Sequence, residues 1–63
     1  MKKGDTIRIL DTAETRKHYI QGMPGVIEEM SDNRVRVIVT DPYLGPAGPY
    51  WLNVDAVEKE GDQ

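Results

Sequence analysis

The sequence has no cysteine, one histidine and one serine among its 63 residues, and each shortage removes a class of chemistry. Without cysteine there is no disulfide, so a disulfide-stapled secreted scaffold is excluded, and no thiolate is available to a metal. His18 alone cannot supply the four ligands that a closed zinc site takes, and nothing else stands at a helpful spacing. The single serine, Ser31, falls in Ser31-Asp32-Asn33-Arg34, a turn by composition. Glu28 and Glu29 are adjacent in a stretch that reads as a strand, which sends their side chains to opposite faces and prevents them from sharing a proton. Gly22-Met23-Pro24-Gly25 lacks the Lys-Ser/Thr of a phosphate loop and precedes a strand rather than a helix. The expectation is a non-catalytic chain with no cofactor and no metal.

Long apolar runs are also missing. None approaches the roughly 20 residues that span a bilayer. Met1-Lys2-Lys3-Gly4-Asp5 is basic, but no apolar stretch follows it as in a secretory leader. These features lead to the expectation of a soluble, cytoplasmic protein. Net charge is −3 and unevenly spread: residues 1–36 hold seven of the eight bases and six of the eleven acids, whereas residues 37–63 hold Lys59 against five acids, a net −4. Phosphate contacts dominate nucleic-acid affinity and call for a basic face, so an acidic chain of this size argues against that class of partner.

What is present is short apolar alternation. In Thr6-Ile7-Arg8-Ile9-Leu10, Ile7 and Ile9 share one face, the pattern of a half-buried strand. Gly25–Met30 reads as a second strand whose alternation breaks between Ile27 and Met30, predicting a bulge near Glu28. Val35-Arg36-Val37-Ile38-Val39 is the clearest strand, too rich in β-branched residues for a comfortable helix. Tyr50-Trp51-Leu52 and Val57-Glu58-Lys59 complete five, with a 3₁₀ turn predicted over Asn53–Ala56. The candidate core is Ile7, Ile9, Val26 or Ile27, Met30, Val35, Val37, Val39, Leu52, Val54 and Val57. In the loop Asp11–Gly22, Asp11 followed by Glu14 resembles a capping box and predicts a turn of helix. The loop Asp41–Pro49 carries three prolines and two glycines, which are expected to break both helix and ladder. The predicted fold is all-β: a small five-stranded SH3-like barrel over residues 1–60, with Gly61-Asp62-Gln63 as a frayed tail.

Three stretches carry a family resemblance. Lys2-Lys3-Gly4-Asp5-Thr6-Ile7-Arg8 resembles the opening of many SH3-like barrels, ribosomal KOW modules among them. Gly22-Met23-Pro24-Gly25-Val26-Ile27 resembles the turn that starts their second strand. The closing stretch, Pro46 to Glu58 through Tyr50-Trp51-Leu52-Asn53-Val54-Asp55, is similar to the ending of the small O subunit of the cyanobacterial and plastid NADH-dehydrogenase-like complex. Related endings occur in the photosystem I subunit PsaE and in the variable chain of ferredoxin–thioredoxin reductase. The first loop and the Pro/Gly loop differ from the O subunit. The resemblance implies a cofactor-free accessory protein docked on an electron-transfer complex, and hence a peripheral place on the cytoplasmic or stromal side of a membrane complex. It also implies a structural role for Trp51, Leu52 and Asp55.

Residues that point to binding are the aromatics and arginines. Tyr43, Leu44, Tyr50 and Trp51 lie in or beside the Pro/Gly loop, and Tyr19 lies near the end of the first loop. Tyr and Trp on rigid loops are enriched at hot spots, and prolines lower the cost of ordering them. In an SH3-like barrel the two loops share one side. Two readings stand for Trp51, a cap on the small core or a partner contact, and two for Tyr43, a shield for loop backbone or a partner contact. Arg34 and Arg36 project from a strand, either to pair with a partner's carboxylates or as an ordinary solvated face. The functional expectation is a protein-binding accessory or adaptor subunit of a larger complex. The alternative is a KOW-like RNA- or ribosome-associated module, whose binding would weaken steeply with salt.

Overall fold

The computed structural model describes residues 1–60; the expected frayed tail, residues 61–63, lies outside them. β1 (Thr6–Ile9), α1 (Ala13–Lys17), β2 (Pro24–Ser31), β3 (Arg34–Asp41), β4 (Gly45–Asn53), a 3₁₀ turn (Val54–Ala56) and β5 (Val57–Lys59) follow in that order. The five strands form one antiparallel sheet in the order β4-β3-β2-β1-β5. This is the all-β, five-stranded architecture expected, with the 3₁₀ turn before the last strand. Among the described residues, no helix is long and apolar enough to cross a membrane.

Alternation decides which face is inside. Ile7 and Ile9 of β1, Ile27 of β2, Val35, Val37 and Val39 of β3, Leu52 of β4 and Val57 of β5 are all buried in one cluster. A single sheet whose strands all feed one core must curl over itself, which is how a small barrel covers its apolar face without a second layer. The register resolves the choice between Val26 and Ile27 in favour of Ile27, since Val26 is exposed. Met30 and Val54 pack at the edge of the core rather than within it. Two core members, Ile20 and Ala56, come from outside the strands, where period-two alternation gives no signal.

The β2–β3 ladder shifts register between Ile27 and Glu29, which places the predicted bulge at Glu28. An extra residue in one strand resets which side chains face out. Gly25 sits between Ile7 of β1 and Val39 of β3, and a Cβ there would lie 2.7 Å from the Ile38 carbonyl oxygen. Only glycine permits that approach of the two backbones. The β2–β3 connection is the two residues Asp32 and Asn33, with Asp32 at φ 53°, a conformation that short polar side chains tolerate.

Two local expectations are corrected. The helix is capped by Thr12 and not by Asp11: the Thr12 hydroxyl accepts from the Thr15 backbone N–H, and the Thr15 hydroxyl accepts from that of Thr12. The same spacing occurs one position further on with threonine at both ends, and Asp11 is instead engaged with Arg16. Thr15 is fully buried, and its hydroxyl also donates to the Leu10 carbonyl at 2.6 Å, tying the helix to the end of β1. The second correction concerns the Pro/Gly loop. β4 runs from Gly45 through Pro46 and Pro49 and pairs with β3 at both ends, with a register shift between Val37 and Val39. Prolines are compatible with this strand because it is an edge, where an N–H on the open side has no ladder bond to lose.

Gly25→Ala is expected to destabilise the fold by about 1–3 kcal/mol, the range for overpacking, read as a lower urea midpoint. An unchanged midpoint would mean that β2 and β3 separate without cost.

Candidate functional site

The β3–β4 turn is built by its polar and special residues. The Asp41 side-chain Oδ1 accepts from the backbone N–H groups of Tyr43 at 2.7 Å and Leu44 at 3.0 Å. Pro42 presets φ before the turn, and Gly45 closes it at φ 82°. The backbone is therefore clamped, yet the two side chains it presents are in solvent: Tyr43 is 93% exposed and Leu44 82%. Asp41 is the only charged residue between Arg36 and Asp55. Among the described residues its carboxylate forms no ion pair.

A second cluster lies on the outer face of the sheet. Arg36 pairs across strands with Glu29 on one side and Trp51 on the other. Its Nε donates to Glu28 at 3.0 Å, a second guanidinium nitrogen lies 3.0 Å from Glu29, and the guanidinium sits 5.7 Å from the Trp51 ring centre. Glu28 and Glu29 do not diverge as an uninterrupted strand would require. The bulge turns both outward, and they share a guanidinium. Trp51 is 41% exposed and leaves the core to Leu52. Val26 and Ile38, cross-strand partners on the same outer face, extend this surface along the sheet. The sequence signal for Ile38 was its alternation with Arg36 and the core valines.

The remaining candidates fall elsewhere. Tyr50 and Trp51 are consecutive in β4 and point to opposite faces. Tyr50 packs against the core, with its ring 5.0 Å from that of His18 at the end of α1. Tyr19, the next residue after His18, is at φ 59° and 82% exposed. The first loop thus reaches β4 through His18 and Glu14. A Glu14 carboxylate oxygen accepts from the Asn53 backbone N–H at 3.0 Å, and the other lies 3.7 Å from Arg34. Arg34 also donates to the Trp51 carbonyl at 3.1 Å.

All four arginines are thereby paired within the chain: Arg8 with Glu60, Arg16 with Asp11, Arg34 with Glu14, and Arg36 with Glu28 and Glu29. The Arg16 guanidinium hydrogen-bonds Asp11 and holds its carboxyl below the usual aspartate range, and Asp11 in turn raises Arg16. No family model, curated protein or solved structure matches the chain.

Two measurements check these contacts. In an NMR pH titration Asp11 should protonate below the ordinary value of about 3.9, and Arg16→Gln should return it there. Because the folded-state value is lowered, any stabilisation from this pair is present above the ordinary aspartate range and is lost as pH falls through the Asp11 midpoint. A midpoint unmoved by Arg16→Gln would show that the pair does not persist in solution. Glu14→Ala should cost about 1 kcal/mol in urea unfolding, since it removes one exposed charge-assisted hydrogen bond and one exposed ion pair. Glu14→Gln keeps an acceptor for Asn53 and should recover most of the loss; equal losses from both variants would assign the effect to charge.

Proposed function

We propose that this chain is a non-catalytic docking module, an accessory subunit that binds a larger protein through the outer face of β3 and β4 and the turn between them. The observation that carries the reading is the exposure of Tyr43 and Leu44 on a clamped backbone. A domain with so few large apolar residues leaves two of them in water at a place where the turn itself needs neither. Trp51 continues the same argument along β4: its ring is half exposed and stacked on Arg36, in the way that aromatic and arginine anchors are arranged at interfaces. The resemblance of the closing stretch to accessory proteins of electron-transfer complexes supports a complex of that kind as the partner.

The arginine pairs weigh against RNA. Guanidinium groups already shared with carboxylates must lose those partners before they neutralise phosphates. On the outer face Arg36 brings two carboxylates with it, so the local field facing a nucleic acid is repulsive.

Native electrophoresis of cell extract should show the chain co-migrating with a defined complex of high mass. Tyr43→Ala combined with Trp51→Ala should weaken that association by about 30-fold or more, as hot-spot truncations do. A chain that migrates alone, or an association indifferent to both substitutions, overturns the reading. Steeply salt-dependent binding to a single-stranded RNA probe that is lost in Arg36→Ala would replace it with the RNA module.

A further inference from the structure

The β3–β4 turn has more construction than a connection requires. Asp41, Pro42 and Gly45 supply all the turn chemistry: the side-chain clamp, the fixed φ and the left-handed residue. Positions 43 and 44 are free to be polar, as turn positions in water usually are. They are Tyr and Leu, and both stand almost wholly in solvent. Immediately beside them is one carboxylate with no cation among the described residues. Its Oδ1 accepts from two backbone N–H groups, and among the described residues no ion pair engages Oδ2. From Val37 to Val54 no other charge competes with it.

From this arrangement we infer that the Asp41–Gly45 turn is an anchoring knob, inserted into an apolar pocket of the partner protein that carries a lysine or arginine at its rim opposite Asp41. The inference rests on the docking reading and names what the partner must offer. Three features select this occupant. The side chains project from a convex tip, so their complement is concave. The clamp removes the ordering cost that a floppy loop would pay on insertion. The uncompensated carboxylate needs a cation near the pocket mouth, and without one its desolvation opposes binding. The same carboxylate disfavours an anionic lipid surface as the occupant.

The test uses the full chain with a benzophenone amino acid at position 44 and, separately, at position 51, irradiated in native extract. The adduct from position 44 should map to a partner segment lining an apolar cavity with Lys or Arg at its edge. Once that partner is purified, Tyr43→Ala or Leu44→Ala should weaken binding about 30-fold. Asp41→Asn, which keeps an oxygen for the clamp and removes only the charge, should weaken it about fivefold at low salt and much less at high salt. Unchanged circular dichroism in each variant separates lost contact from lost fold.

Adducts from position 51 but none from position 44 overturn the knob and leave the docking reading standing. No adduct from either position overturns the docking reading beneath it. An adduct from position 44 on a partner surface without a basic rim, or Asp41→Asn binding as wild type at low salt, overturns the assigned pocket chemistry. Retention on phosphatidylcholine vesicles that is abolished in Tyr43→Ala overturns the protein pocket in favour of a lipid surface.

Discussion

β3 is paired on both sides, to β2 and to β4, and its Val35, Val37 and Val39 are completely enclosed. Every other element is placed relative to that row of three. β2 brings Ile27 against it and passes close enough at Gly25 that no side chain fits between the backbones. β4 brings Leu52. β1 and β5 close the core from the far side of β2 through Ile7, Ile9 and Val57. A core of about this size leaves a small domain only modest stability, so a change in the β3 row is felt throughout the molecule.

The outward-facing residues of the same strands carry the exposed aromatic and charged cluster. Arg36 lies between two core valines in sequence, and its position is fixed by their burial. The bulge at Glu28 then delivers two carboxylates to one guanidinium. One inserted residue in β2 therefore sets the electrostatic character of the sheet's outer face. A regular strand would send one glutamate toward the core, where an unpaired carboxylate is costly. Trp51 completes the cluster as the cross-strand partner of Arg36, so the aromatic surface is positioned by strand pairing and not by loop conformation.

Much of this could be read from the residues because period-two alternation is a strong signal. Ile7 and Ile9, the three valines of β3 and the bulge near Glu28 were all apparent. The shortfalls share one cause: they depend on which neighbour a strand has. Nothing local in Pro46–Pro49 says that the segment is an edge, and only an edge tolerates its prolines within a strand. Asp11 and Thr12 both head a plausible cap, and the choice falls to Thr12 because Thr15 must be buried beside Leu10 while Asp11 remains outside for Arg16. Ile20 is the one large aliphatic residue in a polar loop, and burial of a single residue has no period to reveal it. At the site, Tyr43 and Leu44 were identifiable as candidates from type and position, whereas the separation of Tyr50 from Trp51 required knowledge that both lie in a strand.

The contact between Glu14 and Asn53 has a bearing on how the molecule behaves in company. β4 is an outer strand of the sheet, and a backbone N–H at such a border is an invitation to a passing strand from any other chain. Here the Asn53 N–H is already answered by a carboxylate from α1, Arg34 covers the Trp51 carbonyl, and Pro46 and Pro49 have no N–H to offer. Along this border the chain's own side chains and prolines take up positions where a strand from another copy would otherwise pair. The exposed Tyr43 and Leu44 and the partly exposed Trp51 sit on this strand and its turn, so backbone pairing with another copy is narrowed on the edge that shows the most apolar side chain.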